Sequence, residues 1–312
     1  MYATLIFDGR RGARAICGLL VLLLVTIPIS LAGKDQARAQ DGSLFEFFSV
    51  LPGKPQLNPS ELGGLPPWAD DMKKARVAYR DGNYEKALAH FEPAAARGNI
   101  VASWYLGNMY RLGRGVEAST LKSLEYYQDV ADAFTPDQPD PDRLPIIIDA
   151  LVRVADVYRE GDAAEGVKPN FKAAYQLYTT AASYGHPSAH YAQGLMLLAG
   201  KGVKANPAKA LRWLILAAKR RYAPAEAQLG ELYWKGDVVK RDRTRALMWY
   251  LLATQSALPG ENPAIFDRYH SMAAQAGDDQ ILEAETRARL WSEKYPVPAP
   301  SQGTWPEAGY DG

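Results

Sequence analysis

Cysteine is all but missing from this chain of 312 residues, and the one present, Cys17, lies inside the first 32 residues and ahead of most of an apolar run. That placement excludes a disulfide framework, a thiol nucleophile and a cysteine metal site from everything downstream. It is also the wrong place for a lipid-modified cysteine just after a cleavage point. A net charge is missing too, with 36 basic residues against 35 acidic ones. Without residues 1–32, which hold Arg10, Arg11, Arg14 and Asp8, the balance is 33 against 34. Such a chain has no electrostatic footprint for nucleic acid, so none is expected as a partner. Reactive motifs are absent as well: there is no serine elbow, no zincin signature and no nucleophile and base constellation. Glu160 and Asp162 are close in sequence, but nothing in the sequence shows a cleft in which one of them would keep a proton. The expected catalytic, cofactor-binding and metal residues are therefore none, and the chain is not expected to be an enzyme.

What is present begins with Arg10, Arg11 and Arg14 ahead of an apolar run from Ala15 to Leu31, closing on Ser30-Leu31-Ala32. This is the layout of a signal peptide over residues 1–32, and it predicts export. Ala37-Arg38-Ala39 is a second candidate cleavage site. An uncleaved anchor is the alternative reading, because the run is near the ~18 apolar residues that span a bilayer. Pro28 and the small-residue ending favour cleavage, after which no membrane insertion is expected.

The rest of the chain is periodic. The ladder Ala87, Leu88, Phe91, Ala94, Ala95 returns four more times, for example at Ala210, Leu211, Leu214, Ala217 and Ala218. A small residue that follows an apolar one, at Gly107, Ala155, Gly194 and Gly230, recurs with spacings of 48, 39 and 36. The longer spacings come from the loop Gly161 to Val167 and from an insertion at Thr135 to Pro145. A period of about 36 suits a helix-turn-helix repeat. The pattern predicts an all-α fold, an α-solenoid of antiparallel helix pairs. Apolar residues cover more than one stripe of each second helix, which predicts that it is buried on two sides by neighbours in the stack. The links Gly113-Arg114-Gly115-Val116 and Gly200-Lys201-Gly202-Val203 suit left-handed helix ends. No strand precedes them and no Gly-Lys-Ser/Thr follows, so a phosphate loop is a poor reading.

These residues carry a resemblance. Leu-Gly-x-x-Tyr, then Gly-x-Gly-Val, then Ala-Leu-x-Trp-Tyr/Leu-x-x-Ala-Ala resembles the Sel1-like repeats, relatives of the tetratricopeptide repeat, over residues 71 to about 256. The array divides into a half-unit at 71–99 and units at 100–146, 147–186, 187–222 and 223–256. Closing helices follow within 257–295, where Asp278 or Asp279 is the expected cap of the last helix and Ile281, Ala284, Ala288 and Trp291 are expected to face the stack. More narrowly, Gly82-Asn83-Tyr84-Glu85-Lys86-Ala87, Ala181-Ala182-Ser183-Tyr184-Gly185 and Arg245-Ala246-Leu247-Met248-Trp249 are similar to the periplasmic ExoR-type regulators of alphaproteobacteria. That resemblance implies a periplasmic adaptor that binds the periplasmic domain of a membrane sensor kinase and represses two-component signalling for exopolysaccharide synthesis. The alternative is an envelope scaffold that gathers cell-wall or polysaccharide enzymes. An enzyme acting on envelope glycans is a third reading, and no residue pattern speaks for it.

Segments outside the period remain. The Pro-rich linker at 33–70 reads as disordered, or as a docking segment through Phe45, Phe47 and Phe48; the tail at 296–312 reads as disordered. The insertion holds Asp137, Asp140 and Asp142 but no turn glycine or closing glutamate, so a solvated loop is expected rather than a calcium site. His186 and His190 are four apart, a metal-compatible spacing, yet their register predicts ordinary surface histidines; His90 and His270 are isolated. Lys219-Arg220-Arg221 and Lys240-Arg241-x-Arg243-x-Arg245 read as solvated helix-end cations, or as a surface for an acidic partner.

Overall fold

The computed structural model describes residues 68–137, 139–257 and 262–298. The signal-peptide reading, the linker up to residue 67 and the tail from residue 299 lie outside them. Among the described residues there are twelve α-helices and one isolated bridge, between Asp162 and Val167. The first unit holds α1 (Ala69–Arg80) and α2 (Tyr84–Ala96), and the second holds α3 (Ile100–Leu112) and α4 (Thr120–Ala131). Then come α5 (Leu144–Glu160) with α6 (Phe171–Ser183), α7 (Pro187–Ala199) with α8 (Pro207–Lys219), and α9 (Ala223–Lys235) with α10 (Arg243–Ser256). Two closing helices follow, α11 (Pro263–Ala273) and α12 (Asp278–Lys294). The half-unit at 71–99 is thus a complete helix pair with a short link. Packing runs almost wholly between helices adjacent in the chain, as in a stack that grows one unit at a time.

Local sequence explains where these helices begin and end. Asn99, Ser119, Asn170, Asn206 and Asp242 each accept a hydrogen bond from the backbone N–H three residues on, satisfying an orphan donor of the first turn. The helices α3, α7 and α9 stop at Gly113, Gly200 and Gly236, all left-handed, a conformation glycine adopts at no steric cost. At the insertion, Asp140 accepts from the N–H of Asp142 at 3.0 Å and pairs with Arg143 at 3.3 Å. The insertion therefore ends as the entry to α5, with Pro145 already in its first turn, where a missing N–H costs nothing.

The ladder is the packing code. Phe91, Tyr127, Tyr178 and Leu214 are fully buried and Tyr250 nearly so. In the second, fourth and fifth units that ring or leucine meets the glycine of its own first helix. A Cβ added at Gly107 would lie 2.7 Å from Tyr127 Cε1, and one at Gly194 2.8 Å from the Leu214 side chain.

Each second helix packs on the first helix of its own unit and on the helix that follows it, the two-sided cover expected of the stack. The first helices of the middle units, not the second, are the more enclosed: Ala102 to Tyr110 of α3 are all buried, whereas α8 buries Ala210, Leu214, Ala217 and Ala218. In α8 the ladder residue Leu211 turns partly to solvent, and Leu216, outside the ladder, is exposed. The closing helices pack chiefly on α10 rather than on each other, and supply its second covered side. Ala284, Ala288, Ile281 and Trp291 do face the core. One expectation about capping needs correction: α12 is entered at Gly277, whose N–H donates to Gln280 Oε1 at 3.3 Å. Asp278 and Asp279 lie in its first turn, where the positive end of the helix dipole favours them.

Candidate interaction groove

One position after the small residue of a first helix, and three residues beyond that, a side-chain triad forms. In the second unit Tyr127 Oη donates to Asn108 Oδ1 at 3.0 Å, and Arg111 donates to Tyr127 Oη and Asn108 Oδ1, both at 3.3 Å. In the third unit Tyr178 Oη donates to Asp156 Oδ1 at 2.5 Å, and Arg159 donates to Tyr178 Oη at 3.0 Å and to Asp156 at 3.4 Å. Burial pushes the Tyr127 phenol up to about 12 and raises Tyr178 as well, so both stay protonated and donate. The last unit keeps a version in which Tyr250 donates to Glu231 at 2.9 Å and Arg268 of α11 supplies the guanidinium at 2.6 Å. The fourth unit lacks it: Leu195, Leu198 and Leu214 occupy the three places.

Arg111, Asp156 and Arg159 of the second- and third-unit triads, with Leu195 of the break, line a groove of about 550 Å³ built by α3, the start of α4, α5, α7 and the loop after α5. Arg111, Arg159 and Asp156 bring charge to its lining; Val157, Leu195, Tyr191 and Tyr222 bring apolar surface. Glu160 and Asp162, for which the sequence alone shows no cleft, both line it. They do not make an acid and base pair. Glu160 is held by Arg159 at 2.6 Å, and Asp162 accepts from Thr120 Oγ1 at 2.7 Å and from loop N–H groups, which holds its carboxyl below the usual range. Glu165 accepts from the N–H of Leu121 at 2.8 Å, Ser119 Oγ at 2.8 Å and the N–H of Thr120 at 3.0 Å, with its carboxyl held low for the same reason. The extended loop thus caps α4 of the preceding unit. In the shorter links the second glycine lies there instead, Gly115 against the backbone of Tyr84.

Two buried polar nodes lie within the stack, and both correct the reading of surface residues. His186 and His190 are buried, not exposed. His186 is the residue before α7, and its ring turns inward: Nε2 lies 3.9 Å from Asp149 Oδ1 and Nδ1 is 3.0 Å from Ser188 Oγ. Asp149 also accepts from Trp104 Nε1 at 2.6 Å and faces Arg153 at 3.4 Å. Burial, then the charges of Arg153 and His190, push His186 down to about 3, which makes it a neutral core group. His190 stacks on Trp213, centroids 5.3 Å apart. Among the described residues no group of three or more histidine, cysteine or carboxylate side chains converges as a metal site.

The second node is Arg221, read as part of a solvated basic stretch. It is buried and sits at φ 58°, where Gly98 and Gly185 stand in the other inter-unit turns. Its Nε lies 3.0 Å from Glu226 Oε1 and donates to Ser256 Oγ at 2.9 Å, while Nη1 reaches Ser292 Oγ at 2.9 Å and the Tyr295 carbonyl at 3.3 Å. Burial outweighs the pull of Ser256 and Arg221 and pushes the Glu226 carboxyl up to about 7. The sequence signal that points to this node is an arginine in a glycine's place in the turn. For the triads, the signal is a polar residue one place and an arginine four places after the small residue.

A stack of helix pairs whose aromatic ladder is consumed in packing, and which leaves a polar groove across successive first helices, defines a helical-repeat protein with a surface for macromolecular contact. The chain belongs to the Sel1 repeat family, which matches residues 77–99, 100–131, 148–186, 187–222 and 223–257. It is 32% identical over 133 residues to the exopolysaccharide production negative regulator of Rhizobium leguminosarum bv. viciae, covering 42% of this chain and 49% of that protein. The protein of the same name from Rhizobium meliloti (strain 1021) is 31% identical over 125 residues, 40% of this chain and 46% of that one. The chain therefore spans about half the length of these relatives. Among solved structures, a Sel1 repeat protein from Oxalobacter formigenes matches with a TM-score of 0.50 at 21% identity, over 72% of this chain and 98% of that one. That likeness concerns the fold alone.

Proposed function

We propose that the chain is an exported regulatory adaptor that binds the periplasmic domain of a membrane sensor kinase and represses two-component signalling for exopolysaccharide synthesis. The observation that carries this reading is the match of about two fifths of the chain to two proteins named as negative regulators of exopolysaccharide production. The geometry supports it. The carboxylates and imidazoles that attract a catalytic reading are committed to caps, triads and buried nodes, while the groove stays open across three units. Export rests on the N-terminal sequence. Among the described residues no helix is long and apolar enough to cross a membrane.

Deleting the gene tests the reading. Exopolysaccharide output and transcription from the kinase pathway should both rise; unchanged levels of both would sink it. Recovery of wall or polysaccharide enzymes without any kinase, on pull-down of the exported protein, would favour the scaffold instead.

A further inference from the structure

We propose that the groove takes an extended segment of a partner protein that carries a carboxylate side chain and, within about six residues of it, an aliphatic or aromatic one. The proposal deepens the regulatory reading and rests on it for the partner's biological identity.

Arg111 supplies the first half of the argument. Every carboxylate on the groove wall is already engaged: Asp156 by Tyr178 and Arg159, Glu160 by Arg159, Asp162 by Thr120, and Glu165 by the start of α4. Arg159 is in turn neutralised by Asp156 and Glu160. Arg111 occupies the equivalent place one unit earlier, but Asn108 stands where Asp156 would be. Among the described residues it meets only neutral groups, Tyr127 Oη and Asn108 Oδ1. It is an exposed guanidinium held in position by a fully buried phenol. Two of its nitrogens are used in this way, leaving further N–H groups for a ligand. A guanidinium so placed matches a carboxylate in fork geometry, and its fixed position lowers the entropy lost on binding.

The break in the triad supplies the second half. Leu195 stands where the neighbouring units have Asn108 and Asp156, and it lines the groove with Val157, Tyr191 and Tyr222, whose two rings are 5.5 Å apart. This surface suits an apolar side chain and offers little to a second charge. Residues of α3, α5 and α7 all line this one groove, and about six extended residues, roughly 20 Å, suffice to cross it.

A random peptide library displayed on phage, selected on the full chain, tests this. Enriched peptides should carry Asp or Glu with an apolar residue within that span. Binding of the synthesised consensus peptide, followed by fluorescence anisotropy, should weaken on the order of tenfold when its carboxylate becomes an amide. A similar loss is expected with Arg111→Gln, and a smaller one with Arg111→Lys, which keeps the charge and loses the fork. Leu195→Asp, in the apolar part of the lining, should weaken binding with the helical signal intact. No enrichment, enrichment of peptides lacking a carboxylate, or equal binding to Arg111→Gln would overturn the proposal. So would dimerisation of the chain abolished by Arg111→Gln, since a second copy would then be the occupant. Peptide binding through Arg111 with exopolysaccharide unchanged on gene deletion would leave the groove chemistry standing and remove the regulatory reading. Altered output without peptide binding would do the reverse.

Discussion

At Gly107 the first helix gives up a side chain so that Tyr127 can lie against its backbone, with the ring fully buried and its hydroxyl tied to Asn108 and Arg111. Alanine there should gain ~1 kcal/mol of helix propensity and lose more to overpacking, which costs ~1–3 kcal/mol. Gly107→Ala is therefore expected to lower the melting temperature; a rise would mean that the ring has room to move. Arg221 makes the opposite trade. It accepts a left-handed backbone, at a cost of order 1 kcal/mol, to place its guanidinium against Glu226, Ser256 and Ser292. Arg221→Gly relieves the backbone and strands a buried carboxyl, so a net loss of ~3 kcal/mol is expected in denaturant unfolding, partly recovered by adding Glu226→Gln. The glycine register was legible because small residues recur at fixed spacing. The side-chain direction of His186 and Arg221 was not, because a turn residue points inward or outward according to the helices beside it, and the place of His186 is polar in an earlier unit too, at Asn99.

Among elements, the helices were legible nearly in full: caps, left-handed glycines and the apolar ladder all mark the same boundaries. Two element-level features were hidden. That α11 and α12 both lean on α10 depends on contacts distant in sequence. That the loop after α5 caps α4 depends on Glu165 reaching back 44 residues to Leu121. Glu165→Ala should speed hydrogen exchange at the first turn of α4 and leave α6 protected; equal exchange in both variant and parent would show that the cap contributes nothing. Between α5 and α7, His186 makes stability depend on pH. The fold holds it at about 3 against an ordinary 6.5, so below about pH 6.5 the unfolded chain takes up a proton that the fold refuses. Its contribution is complete above that pH and falls on acidification by at most ~1.4 kcal/mol per unit. Glu226, pushed up to about 7 from 4.5, acts in the opposite direction, adding stability as pH falls through that interval. His186→Asn, which places at that turn the residue found at Asn99, should therefore flatten the acid side of the stability curve. An unchanged slope would show that His186 titrates normally in the fold.

For the whole molecule, the repeat array was legible because each unit restates the same burial problem, and neighbouring units solve it together. The groove was not legible, because it is made by what differs between units: Asn108 against Asp156, Leu195 against both, and a loop three residues longer than its counterparts. Stacking explains the ladder, and the departures from it leave the surface that a partner can read. Placing a photo-reactive amino acid at Tyr191, within the groove, and irradiating intact cells tests this account most directly. The predicted result is a cross-link to the periplasmic domain of a membrane sensor kinase, lost when Arg111→Gln is added and absent when the probe is moved to Leu282 on the outer side of α12. A kinase cross-link from Leu282 alone, or groove cross-links to envelope enzymes without a kinase, would contradict it.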